Sequence, residues 1–183
     1  LQTHSIGFDL ETKFDNYSNL KTGISTRDQK NYPDPSTGVK RIIPDYKKYD
    51  FRLYSIYDIS FDNSWLLEGG IRYDFSHINA YKYYRTSLWE IRNYNELFPE
   101  FIVEDLGLNI LTNPKFNFNN ISSNLGTRYT INKGENIYFN YSISSRKPNP
   151  SELFSEGLHH SSARIEIGDL GFNSEVGHNI SLT

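Results

Sequence analysis

Tyr49-Asp-Phe51-Arg-Leu53-Tyr-Ser55-Ile-Tyr57-Asp-Ile59-Ser-Phe61 is followed, after a short turn, by Trp65-Leu-Leu67-Glu-Gly69-Gly-Ile71-Arg-Tyr73-Asp-Phe75-Ser-His77. In both runs the odd positions are mostly apolar, and the even positions carry Asp50, Arg52, Asp58, Glu68, Arg72 and Asp74. Successive strand side chains point to opposite faces, so each run has an apolar face and a charged face. Each run is about 13 residues long, whereas a globular strand is typically about 5–6. Long two-faced strands joined by a tight turn with flanking aromatics raise the question of whether the apolar face meets lipid.

Composition narrows the answer. There is no Cys, which excludes disulfides, thiol nucleophiles and thiolate metal sites. A net charge of -3 speaks against a nucleic-acid partner, because such modules are normally basic. No apolar run approaches the ~18 residues of a membrane helix. A polar average does not argue against a membrane barrel, since half of every strand faces a polar lumen. No leader precedes Leu1, so the expectation is either a mature start there or a piece of a longer protein.

The same alternation recurs from His4 to Phe14, Leu20 to Arg27, Ser122 to Ile131, Ile137 to Ser144, and Glu175 to Leu182. Together these segments predict about seven strands. Helical character is confined to a short stretch around residues 87–98. Turns at 15–19, 62–64 and 132–135 are short and polar. Connections at 28–46, 79–115 and 147–171 are long. Short and long alternate, so an up-and-down sheet would gather every long loop at one end, as outer-membrane barrels do.

A soluble lipocalin-like barrel binding a small apolar ligand in its cup would share this length and alternation. Three features favour lipid outside. Phe14, Tyr17, Phe61, Trp65 and Tyr129 cluster beside the short turns like an interfacial girdle. The opposite face is charged with mixed sign, which suits a wide lumen. An odd number of strands with strands at both ends leaves two open edges.

Residues 146–182 add a family likeness. Arg146-Lys-Pro148-Asn149-Pro-Ser-Glu152-Leu153-Phe154 is followed by Gly157-Leu-His159-His160, then Glu166-Ile-Gly168, then Glu175 ahead of Asn179. This resembles TonB-dependent outer-membrane receptors, whose late barrel carries an Arg-x-Pro-Asn-x-x-Glu-Leu block. Asn120, Ser123, Leu125, Gly126 and Tyr129 match the preceding strand of that family. The specific likeness covers residues 120–183; earlier strands match in pattern alone. Lys147 and Phe172 depart from it.

The resemblance implies an all-β, antiparallel up-and-down transmembrane β-barrel segment, part of a barrel of roughly 22 strands. Residues 1–183 would then be a partial barrel domain, without plug or terminal strands. It also implies a cell outer membrane location and uptake of a scarce nutrient, an iron chelate or a zinc or other metal complex. The partners implied are an N-terminal plug domain of the same protein, TonB acting through that plug, outer-membrane lipid, and the small-molecule or metal-complex ligand. No enzyme chemistry and no cofactor follow from it.

Four groups of residues are candidates for function. Arg146 has lumenal parity and would face the plug or pair with Glu152, because an unpaired charge in a partly dry lumen is costly. Tyr83, Tyr84, Arg85 and Trp89, in the longest connection, could hold a planar or anionic ligand, or pack the loop on itself. Glu156, His159 and His160 form an imidazole-carboxylate cluster of metal-ligand type, though a strand would point adjacent histidines apart. His77 and His178 have outward parity and suit an interface.

Overall fold

A computed structural model describes residues 1–32, 36, 41–62, 64–159 and 163–183. Seven long strands form one antiparallel meander: β1 (Gln2–Lys13), β2 (Ser18–Asn31), β3 (Asp45–Phe61), β4 (Trp65–Arg85), β7 (Lys115–Asn132), β8 (Glu135–Arg146) and β11 (Glu175–Leu182). All seven strands expected from alternation are present, in sequence order, and the sheet stays open with β1 and β11 as its edges. No helix is long and apolar enough to cross a membrane.

Register turns the alternation into two surfaces. On one face Phe8, Ile24, Leu53, Tyr73 and Ile121 stand side by side across the strands. Lower down, Phe61, Trp65, Tyr129 and Ile137 make the next aromatic row, with the Trp65 and Tyr129 rings 4.6 Å apart. Between the Phe61 row and the Phe51–Phe75 row, no Asp, Glu, Lys or Arg among the described residues occupies this face. Phe51 to Phe61 spans about 33 Å along the strand, or about 25 Å of height at a 40° tilt, the thickness of an outer-membrane apolar band. No described residue covers it: Ile71 is 57% and Leu125 58% exposed.

The opposite face is polar. Asp9, Gly23, Tyr54 and Arg72 share a row. The Tyr54 hydroxyl donates to Asp9 at 2.6 Å, its ring lying over Gly23 where a Cβ would come within 2.3 Å of it. Arg52 and Arg72 donate to the two oxygens of Asp74 at 2.8 and 2.6 Å. The lipocalin alternative fails here, because Leu53, Ile71 and Phe139 line no closed cup.

The buried core lies at the long-loop end. The connection expected to be loop between β4 and β7 holds α1 (Thr86–Ile91), α2 (Tyr94–Leu97), a 3-10 turn (Pro99–Phe101) and the hairpin β5 (Ile102–Asp105) with β6 (Asn109–Thr112). The last connection holds α3 (Pro150–Phe154) and the hairpin β9 (Glu156–His159) with β10 (Arg164–Ile167). Both pack onto the upper, polar-side ends of the strands. Ile78, Ala80, Tyr84, Trp89, Tyr94, Phe118, Leu153, Phe154 and Leu170 are buried there together.

Candidate functional site

The Arg146–Glu152 block is built by its own local chemistry. Pro150 sits in the first helical turn of α3, where its missing N–H costs nothing. Asn149 caps that helix, accepting from the Glu152 N–H at 3.0 Å, while Glu152 accepts from the Asn149 N–H at 2.8 Å. This reciprocal pair is a capping box. Arg146 then forks. One arm meets both Glu152 oxygens at 3.0 and 2.9 Å, and the other meets Glu175 at 2.9 Å. One guanidinium therefore joins β8, α3 and β11. The Asn149 N–H holds the Glu152 carboxyl below the usual carboxylate range; burial opposes this, and Arg146 reinforces it.

Lys147 turns the chain over the polar face and donates to Asp50 of β3 at 2.5 Å, with Ser76 donating to the same oxygen at 2.7 Å. Because β7 and β4 lie between β8 and β3, this bond reaches across the sheet. The polar face at this level is rich in cations: Arg27, Lys48, Arg52, Arg72 and Lys147 surround Asp50 and Asp74.

The four loop candidates separate. Trp89 is fully buried and Tyr84 nearly so, their rings 5.2 Å apart, with Tyr94 edge-on at 5.1 Å from Trp89. Their faces are occupied by the loop core. Burial pushes the Tyr84 hydroxyl far above its ordinary range. Tyr83 and Arg85 point the other way and are exposed. They line an open groove of about 420 Å³ with Arg41, Tyr81 and Asn109.

Lys82, which the sequence pattern did not mark out, and Tyr94, one of the aromatics of the long connection, hold the loops together. Lys82, on the inner side of β4, donates to the Phe154 carbonyl at 3.0 Å, meets Glu156 at 3.0 Å and lies 4.0 Å over the Tyr84 ring. Its even position among aromatics was the available signal. The Tyr94 hydroxyl donates to Asp169 at 2.7 Å and accepts from Arg92 and from the Leu170 N–H. Burial would raise the Asp169 carboxyl, but the Tyr94 hydroxyl, the Gly171 N–H and Arg92 together hold it low.

Glu156 is thus engaged by Lys82. His159 pairs with Arg164 in the β9–β10 hairpin, while His160 lies outside the described residues. Among the described residues no group of three His, Cys, Asp or Glu is placed to hold a metal. His77 faces outward as parity implied, bonded to Asn117, and His178 contacts Tyr141 on the same face.

A family model described as TonB dependent receptor-like, beta-barrel, matches residues 2–183. The chain belongs to the TonB-dependent receptor β-barrel family. Among solved structures, this receptor barrel chain is similar to a double mutant of the Serratia marcescens hemophore receptor HasR, in complex with its hemophore HasA and heme. The TM-score is 0.63 at 15% identity, over 98% of this chain and 29% of that one. At that identity the likeness is one of fold. The receptor chain thus spans under a third of the length of the structure it matches. No curated protein matches it in sequence.

Proposed function

We propose that this chain is one wall section of an outer-membrane receptor that imports a scarce nutrient with TonB-coupled energy. The observation that carries the proposal is the charge-free outer face, about one apolar bilayer tall and bounded by an aromatic row, on a sheet whose other face is charged. Family membership gives that sheet a receptor context.

In this reading residues 1–183 form a partial barrel domain, and an N-terminal plug of the same protein rests against the polar face. Arg146 and Glu152 stand at its upper rim. The cations around Asp50 and Asp74 favour an acidic plug surface there. TonB would act through the plug, and no covalent chemistry is required. Ligand contact is assigned to Tyr83 and Arg85 rather than to Tyr84 and Trp89, because only the former pair line open space. An iron chelate is the first substrate class and a zinc or other metal complex the second. Haem joins the panel because the HasR structure holds it.

The test is uptake of labelled ferric chelates, haem and zinc by cells carrying the intact receptor, with and without TonB and the protonmotive force. Energy-dependent uptake of one of them is the expected result. Absence of the protein from the outer-membrane fraction would overturn the proposal. Glu156, His159 and His160 are tested separately by zinc titration of the intact receptor and its His159→Ala variant; unchanged affinity removes that cluster from the ligand path.

A further inference from the structure

Above the charge-free band, the outer face changes character within two residues of strand. The next row places Asp28, Tyr49, His77 and Asn117 side by side. The row above that reads Lys30, Lys47, Asn79, Lys115, so three lysines share one line across four strands. Lys47 and Lys115 are exposed, and their side chains make no ion pair or hydrogen bond among the described residues. Lys30 stands 3.6 Å from Asp28, the two side chains 42% and 44% exposed, a contact that water screens.

Height decides what these cations meet. Four residues separate Phe51 from Lys47, about 10 Å of rise above the apolar edge at the strand tilt of such barrels. Head groups occupy the several ångströms outside the hydrocarbon core. That layer is about 5–8 Å deep, just below the lysine backbone, and a lysine stem laid along the outer face reaches back and holds its ammonium within it. At the short-turn end no row of lysines occurs among the described residues: the last full row of the outer face is Phe61, Trp65, Tyr129 and Ile137, with the single Lys133 in the turn beyond it. A lysine row at the loop end and an aromatic row at the turn end make the two interfaces chemically different.

We propose that the Lys30–Lys47–Lys115 row binds phosphate-bearing lipid head groups of the leaflet on the long-loop side. Charge complementarity identifies the occupant, and continuity with the lipid-facing band places it. Strand spacing sets Lys30 beside Lys47 and puts Lys115 about 10 Å further on, so the row can engage more than one phosphate. The inference rests on the outer-membrane reading above.

The experiment uses the intact receptor in phosphatidylcholine nanodiscs doped with diphosphorylated lipid A or with its dephosphorylated form, retained lipid being counted by native mass spectrometry. The receptor is expected to retain the diphosphorylated form preferentially by at least tenfold, at about fivefold per near-surface cation. A Lys30→Gln/Lys47→Gln/Lys115→Gln variant is expected to lose that preference. A lumenal control, Lys13→Gln/Lys21→Gln/Arg128→Gln, removes as many cations from the other face and is expected to keep it. If the outer-face variant does not fold, Lys47→Gln alone is read, with about a fivefold loss expected. No preference in the parent, an unchanged outer-face variant, or an equal loss in the control overturns the proposal. Failure of the intact receptor to enter a bilayer at all would overturn the outer-membrane reading, whereas insertion without lipid preference overturns this one alone.

Discussion

Gly168 shows how one residue sets the loop architecture. A Cβ there would lie 2.6 Å from the Leu153 carbonyl carbon and the Phe154 nitrogen, backbone atoms that have nowhere to move. The close approach lets the Gly168 N–H donate to Ser155 and its carbonyl accept from Arg92 at 2.7 Å. Gly168→Ala should destabilise the loop core by about 1–3 kcal/mol, the usual range for overpacking. It would be seen as faster proteolysis of the loop end with the barrel still heat-resistant. The capping box predicts a smaller effect. Asn149→Ala should cost about 1 kcal/mol. Glu152 adds a pH signature. Its carboxyl is held below its ordinary value near 4.5, so its stabilisation is complete above that value and is lost as pH falls through the lowered one. Protection factors for hydrogen exchange at the Asn149 and Glu152 amides, corrected for the intrinsic slowing of exchange in acid, should therefore fall below about pH 4.5 in the parent, and Glu152→Gln should flatten that response.

At the scale of the element, β4 explains both what was legible in the sequence and what was not. From Trp65 to Phe75 the apolar positions are odd and face outward, and period-2 alternation alone exposes them. Past His77 the apolar set becomes even: Ile78, Ala80 and Tyr84 are buried while Tyr81 and Tyr83 are exposed. The strand has left the charge-free band, and its inner face now meets the loop core. An inverted phase looks like the end of a strand, so residues 79–85 read as loop although the strand runs to Arg85. The same inversion hid the start of β7, where Phe116 and Phe118 face inward below Lys115. The Arg146–Glu152 pairing was legible because an arginine of lumenal parity demands an acidic partner; the capping box that brings Glu152 to it appears only in the structure. The burial of Trp89 was not, since ring-rich loops look alike whether they bind a ligand or pack together. Trp89→Ala should empty a cavity worth about 3–5 kcal/mol, and Trp89→Phe should cost less, because the buried indole nitrogen has no hydrogen-bond partner among the described residues. Loop-end proteolysis with unchanged barrel heat resistance is the expected readout; a barrel that falls apart would mean that the loop core is not separable from the wall.

For the molecule as a whole, the two faces of the sheet make opposite demands on the same substitution. Ile56 and Ile71 are the same residue type on adjacent strands; Ile56 faces Gly70 across the β3–β4 ladder, and Ile71 is the next residue. They are therefore matched in depth and neighbourhood and differ in side. Ile71 stands midway between the Phe61 and Phe51 rows, which places it near the bilayer midplane if the outer face meets lipid. Ile71→Arg should then cost about 2–4 kcal/mol, measured by reversible folding of the intact barrel into liposomes. Ile56→Arg puts the same cation into a polar lumen beside Arg52 and Arg72, where mild repulsion is the only penalty, and should cost less than about 1 kcal/mol. A soluble cup with the apolar face inside would also penalise Ile71→Arg, but it would fold without lipid and unfold at the same denaturant concentration with or without vesicles. The asymmetry between the two arginines, together with its dependence on a bilayer, is what a receptor wall requires. Equal costs on the two faces would mean that the side assigned to lipid has been assigned wrongly.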